Sequence, residues 1–231
     1  MSNQRAGSPA PSPHPAPRTP HPAVRLVVFD MEGTLTASPT LWELMHLKVG
    51  TWESHGLPYW EAYKAGKLDY DRFARMDVAT WKGAEVETFD RAVAEVPLMP
   101  GCAELLGHLH RKGIRTAIVS NGLERLGLRL AREFSIWRVM ANREVIEHGR
   151  LTGELDLRVP FEHKALAVAE AARELGVPLE SVAAVGDGRA DVAMFRVAGT
   201  SVAFRPENAD VAAEADHAVH EPDLRRLMEI L

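Results

Sequence analysis

Between Val24 and Thr36 the chain reads VRLVVFDMEGTLT, and no other stretch restricts the fold as much. A short apolar run rich in β-branched residues stops abruptly at Asp30-Met31-Glu32-Gly33-Thr34, the pattern of a buried strand that hands its end to a loop. That loop carries two carboxylates, Asp30 and Glu32, one residue apart. Held together by a fold, they need a cation or a shared proton to relieve their repulsion. The loop therefore reads as chemical, with Gly33 and Thr34 ascribed to a tight turn.

Two patterns follow. From about Pro39 to Pro97 the periodicity is helical, with breaks expected near Gly50, Gly56 to Pro58, Gly66 and Gly83, and no strand pattern appears. In LDYDRFARMDVATW, Leu68, Phe73, Met76 and Trp81 recur near helical spacing. This segment holds Trp42, Trp52, Trp60, Trp81 and all three tyrosines. In so small a unit such side chains either build its core or line a pocket, and Trp42 and Trp60 are the first candidates for lining.

From Pro100 helix and strand alternate, which is how a parallel sheet with crossover helices is written. A helix from Gly101 to Arg111 leads to a strand, Ile114 to Val119, that delivers Ser120-Asn121-Gly122 to a helix start. A helix from Leu123 to Phe134 and a short strand from Arg138 to Ala141 come next. Glu144 to Val159 alternates around His148-Gly149 as a β-hairpin does. A helix from Glu162 to Leu175 precedes an apolar strand, Val182 to Val185, that ends in Gly186-Asp187-Gly188-Arg189-Ala190-Asp191. A strand from Thr200 to Phe204 and short closing elements finish the chain. The expected fold class is α/β, a Rossmann-like parallel sheet with a small helical cap inserted after the first strand and a β-hairpin appended. The expected domains are 24–38 with 98–231 as core and 39–97 as cap. Residues 1–23, with seven prolines, read as a disordered tail.

Composition excludes several classes. A net charge of -5 without a long basic run argues against nucleic acid as a partner, and no apolar stretch approaches the length of a membrane span. Cys102 is the single cysteine, so no internal disulfide forms, and its place after Pro100-Gly101 suits a small buried residue better than a nucleophile. A cytoplasmic location is the expectation.

Ligands of open α/β sheets bind beyond the carboxyl ends of the strands. Three strands here end in complementary groups: Asp30 with Glu32, Ser120 with Asn121, and Asp187 with Asp191. Acids from the first and last can share an oxygen-loving divalent cation, and Mg²⁺ fits better than zinc because no His/Cys cluster accompanies them. The hydroxyl and helix-start N–H groups of the middle one suit phosphate oxygens. Together they suggest phosphoryl transfer.

In order, FDMEGTLT, VSNG, Lys164 within FEHKALAVAEAARELGV, and VGDGRADVAMF resemble the four motifs of the haloacid dehalogenase superfamily of phosphatases. ANREVIEHGRLTGEL points to its phosphoserine phosphatase-like branch, and the similarity spans residues 24 to 231, weakest in the cap. The resemblance implies that Asp30 is a nucleophile forming an aspartyl-phosphate, and that Glu32, where most members have aspartate, is the acid/base. It implies that Asp30, the main-chain carbonyl of Glu32 and Asp187 hold Mg²⁺, with Asp191 beside them or in place of a ligand water. Ser120 and Lys164 would bind the phosphoryl oxygens. Asn121, where these enzymes tend to have glycine, would border the phosphate. The branch reads its amino-acid substrate with a cap glutamate and a cap arginine. Aligned on Ala65-Gly66-Lys67-Leu68, those positions fall near Pro39 and Asp77, which leaves Glu43, Arg72 or Arg75 as substitutes. The implied function is a Mg²⁺-dependent phosphatase of a small phosphorylated metabolite. Phosphoserine phosphatase proper and a phosphotransferase are its rivals within the class, and a non-catalytic relative is the rival outside it.

Overall fold

A computed structural model describes residues 23–231. The proline-rich tail expected over 1–23 lies, but for Ala23, outside the described residues. β1 (Leu26–Phe29) is followed by four helices, α1 (Leu41–Val49), α2 (Leu57–Lys64), α3 (Tyr70–Thr80) and α4 (Val86–Glu95), with a π-helical turn at Trp52–Gly56 leading into α2. Then come α5 (Cys102–Arg111), β2 (Arg115–Leu123), α6 (Glu124–Phe134), β3 (Arg138–Glu147), β4 (Arg150–Asp156) and α7 (Lys164–Leu175). The chain closes with β5 (Val182–Gly186), α8 (Val192–Phe195), β6 (Thr200–Phe204), α9 (Ala209–Ala213) and β7 (His217–Val219).

The strands form one sheet in the order β4-β3-β2-β1-β5-β6-β7, parallel except for β4. β1 is central, and all four of its residues are buried because both faces of the sheet are covered. Val27 and Phe29 join the core shared with α5, α6 and the cap helices, while Leu26 and Val28 join the core under α7 and α8. The cap is thus continuous with one sheet face: Trp42 packs on Trp81 at 5.6 Å between ring centroids, and Trp81 on Phe89 at 6.4 Å. Among the described residues no helix is long and apolar enough to cross a membrane.

Local signals explain most boundaries. Thr40 caps α1 and Asp69 caps α3, each accepting an N–H of its first turn, and Gly50 and Gly176 end α1 and α7 in the left-handed region. His148 and Gly149, both at positive φ, turn β3 into β4 as expected. Three expectations need correction. The break near Gly56 to Pro58 does not occur: the π-helical turn runs straight into α2, where Pro58 sits in the first turn and no N–H is missed. Gly56 serves close packing instead, since a Cβ there would come 2.6 Å from Trp52 and 2.8 Å from His46. β2 does not stop at Val119 but continues through Ser120-Asn121-Gly122 to Leu123, so the helix start lies later. The strand expected to end at Ala141 and the first arm of the hairpin are one strand, β3. Asn142 joins them, donating to the Asn121 carbonyl at 2.7 Å and accepting the Val159 N–H at 2.9 Å.

One buried acid lies away from the carboxylates that prompted these expectations. Glu144 in β3 is 5% exposed, its Oε2 lacks a partner, and Arg125 approaches Oε1 only to 3.9 Å. Burial pushes its carboxyl up to about 7 from an ordinary 4.5. Between these values the folded protein holds a proton that the unfolded chain releases, so stability falls as pH rises and the full cost is present above about 7. Glu144→Gln is expected to stabilise by about 2 kcal/mol at pH 8 and by almost nothing at pH 4. Urea denaturation at both values reads this, and an equal change at both would show that ionisation is not the cause.

Candidate active site

Asp30 is the residue after β1 and Asp187 the residue after β5, and these two strands are parallel neighbours. The chain leaves β1 toward β2 on one side and returns to β5 on the other, so the two acids meet where the strand order reverses. Carboxylate oxygens of Asp30, Asp187 and Asp191 all lie within 4.8 Å of one another. Lys164, the first residue of α7, is 2% exposed, and its Nζ donates to Asp30 Oδ1 and Asp191 Oδ1, each at 2.6 Å. The other oxygen of Asp191 accepts the N–H groups of Asp187 and Gly188, each at 2.9 Å. Thr34 donates to Asp187 Oδ1 at 2.9 Å. Gly33, at φ +93°, lies so close that a Cβ would press into the Asp187 carboxylate.

Three carboxylates share one ammonium, and the electrostatics show the shortage. Burial pushes Asp30 up, Lys164 opposes this and Asp191 reinforces it. Burial, Asp30 and Asp191 together push Asp187 well above the usual carboxylate range. Burial alone would lower Lys164, but Asp191 and Asp30 outweigh it and hold the ammonium charged. A cation among the acids would relieve the excess negative charge, and the all-oxygen donor set suits a hard divalent ion. The carboxylate of Glu32 stands apart from this cluster. Its Oε1 accepts the Leu41 N–H at 2.8 Å at the start of α1, with the Trp42 indole beside it. Burial pushes Glu32 up to about 7.

Ser120 is 3% exposed, and its Oγ accepts the Gly122 N–H at 3.1 Å, which leaves its own proton to donate. Asn121 lines the cavity beside Ser120, while its side-chain amide donates to the Val159 carbonyl at 2.8 Å and its main-chain carbonyl accepts from Asn142, which ties the strand end to the loop before α7.

A cavity of about 520 Å³ opens above these groups, the size of a small-molecule site. Trp42 and Trp60 are among its lining residues. Arg72 and Arg75 are not, which corrects their candidacy for reading the substrate. The face of α3 turned to the cavity carries Phe73 and Asp77, one turn apart. Arg72 is exposed, and Arg75 extends outward to the Leu155 carbonyl at 3.1 Å. Asp77 pairs with His46, Oδ1 to Nε2 3.1 Å, both fully buried. Residue-level reading missed the contact between Thr34 and Asp187, the placement of Tyr70 and Phe161 on the wall, and the Arg189–Glu207 pair at 3.2 Å. A hydroxyl after Gly33 was the only local signal for the first. Cys102 is buried, and burial pushes its thiol up to about 12, so it is no nucleophile.

A parallel sheet carrying acids at two adjacent central strand ends, bridged by a buried lysine under a helical cap, defines a capped α/β hydrolase built for phosphoryl groups. A family model described as haloacid dehalogenase-like hydrolase matches residues 27–196, and the chain belongs to that family. The phosphoserine phosphatase of Streptococcus thermophilus is 30% identical over 207 residues, covering 89% of this chain and 95% of that one. That of Methanocaldococcus jannaschii is 28% identical over 208 residues, covering 90% and 97%. A phosphoserine phosphatase of Mycobacterium tuberculosis is 33% identical over 208 residues, and there the chain spans only 50% of the relative. A phospho-aspartyl intermediate analogue of phosphoserine phosphatase superposes with TM-score 0.81 at 25% identity, covering 91% of this chain and 100% of that one. Within the family the chain thus stands in the phosphoserine phosphatase-like branch, whose enzyme class is phosphoric monoester hydrolase.

Proposed function

We propose that the protein is a Mg²⁺-dependent phosphatase of a small phosphomonoester, working through an aspartyl-phosphate on Asp30. The observation that carries this reading is the convergence of Asp30, Asp187 and Asp191 within 4.8 Å around the buried ammonium of Lys164, at the crossover point of the sheet. Asp30, Asp187 and the main-chain carbonyl of Glu32 hold the ion, with Asp191 fixing Lys164 and the Asp187 loop. When bound, Mg²⁺ neutralises charge on the transferring phosphoryl group.

Asp30 attacks phosphorus while the bond to the alcohol oxygen breaks. Glu32 gives that oxygen its proton, and its position near pH 7 lets it hold one beforehand. Glu32 then takes a proton from water, whose oxygen attacks phosphorus and releases Asp30 with inorganic phosphate. Ser120 and Lys164 bind phosphoryl oxygens, and the cap helices exclude water from the first step. A core of 24–38 with 98–231 and a cap of 39–97 belong to this reading, as does a cytoplasmic setting, which the lone, buried Cys102 supports.

The test is a panel of phosphomonoesters, including p-nitrophenyl phosphate and O-phosphoserine, with purified full-length protein and Mg²⁺. Hydrolysis that chelation abolishes is expected. Added alcohols that accept the phosphoryl group in place of water would make the enzyme a transferase. If no ester is cleaved, the phosphatase reading is wrong.

A further inference from the structure

We infer that the cap side of the cavity takes the cationic end of an amino-alcohol phosphate, a phosphomonoester whose alcohol bears an ammonium group and no carboxylate. The inference rests on the phosphatase reading and specifies its substrate. The wall opposite the acids is aromatic: Trp42 lies 5.8 Å from Phe73 between centroids, and Tyr63 stacks on Phe73 at 5.3 Å. Ring faces attract cations, most strongly when desolvated. Lys64 at the mouth already places its ammonium 5.5 Å from the centroid of Trp60, which leaves the inner rings for a ligand.

Charge agrees with the rings. Glu43 lines the cavity, and its carboxylate pairs with no cation among the described residues. One turn beyond the Trp42–Phe73 pair sits the His46–Asp77 pair. Asp77 is 1% exposed and lines the cavity, and its Oδ1 has no aligned hydrogen bond although His46 is 3.1 Å away. Of the lining cations, Arg189 is paired with Glu207 and Lys164 with Asp30 and Asp191, which leaves the exposed Lys64, over Trp60, as the lining ammonium with no carboxylate partner among the described residues. A carboxylate on the alcohol would face Glu43 and Asp77 without a free guanidinium among the lining residues.

The experiment compares kcat/KM for 2-trimethylammonioethyl phosphate, its uncharged isostere 3,3-dimethylbutyl phosphate, 2-aminoethyl phosphate and O-phosphoserine. The cationic esters are expected to exceed the neutral isostere by about tenfold or more, with O-phosphoserine below them. In Glu43→Gln the cationic-to-neutral ratio is expected to fall toward unity. A ratio taken on one preparation does not depend on the fraction folded. A wild-type ratio near unity, a preference for O-phosphoserine, or a ratio unchanged in Glu43→Gln would overturn the inference. Hydrolysis of p-nitrophenyl phosphate without a cationic preference defeats this inference alone. Failure on every ester defeats the phosphatase reading and this inference with it.

Discussion

Asp30→Asn is expected to lose about 10⁴-fold or more in kcat and to yield no trapped phosphoenzyme. The carboxamide cannot attack phosphorus to form an acyl phosphate, and neither other carboxylate of the cluster is free to replace it. Asp187 accepts from Thr34, and Asp191 is held by Lys164 and two backbone N–H groups. The loss has a signature that unfolding lacks. Burial and the neighbouring Asp191 raise Asp30, so its ionised form is costly in the metal-free fold, and the amide removes that cost. The metal-free variant should therefore melt no lower than wild type at pH 7.5. Acid-quenched intact-mass analysis and steady-state rates with Mg²⁺ read the two effects. Activity within about tenfold of wild type, or a phosphoenzyme in the variant, would remove Asp30 from the chemistry.

Lys164→Met is expected to lose about 10²- to 10³-fold in kcat and also to destabilise the fold by about 3–5 kcal/mol at pH 7. Among the described residues its ammonium is the single cation bonded to both Asp30 and Asp191, at 2.6 Å each, and removing it leaves two buried acids uncompensated. The sign with pH follows. Without the ammonium, which opposes the upward push of burial on Asp30, the folded state holds the Asp30 carboxyl protonated at pH values where the unfolded chain ionises it. Stability relative to wild type then falls as pH rises through the ordinary carboxylate range and is nearly restored at acid pH. Thermal denaturation at pH 4 and 7.5 separates this from a surface role. A helix-start lysine in solvent would change stability by less than about 0.5 kcal/mol at either pH, and that result would defeat the buried-bridge account.

What could be read in advance followed the physics of each element. β1, β5 and β6 were legible because a strand buried on both faces must be a continuous apolar run, and LVVF and VAAVG are such runs. β2 and β3 were misread because their interruptions are polar. Ser120-Asn121-Gly122 and Asn142-Arg143 look like loops until Asn142 is seen bonding to Asn121 and Val159, which satisfies the polar groups inside the sheet. In the cap the aromatic side chains serve both of the roles left open: Trp81 and Phe89 are core, while Trp42 and Trp60 border the cavity.

By itself the sequence determined where the acids stand along the chain and which strand ends present them, since a buried strand followed by a polar turn is a local pattern. Only the tertiary structure decided what each acid touches. Lys164 meets Asp30 from 134 residues away, Thr34 meets Asp187 from 153, and neither pairing leaves a trace in local composition. The same holds for the cap. Two residues of register turn a helical side chain by about 200°, which separates Asp77 in the cavity wall from Arg75 on the outside. Packing of α3 against β4 and α2, with Phe73 on Trp42 and Asp77 on His46, sets that rotation, and with it the charge that a substrate meets.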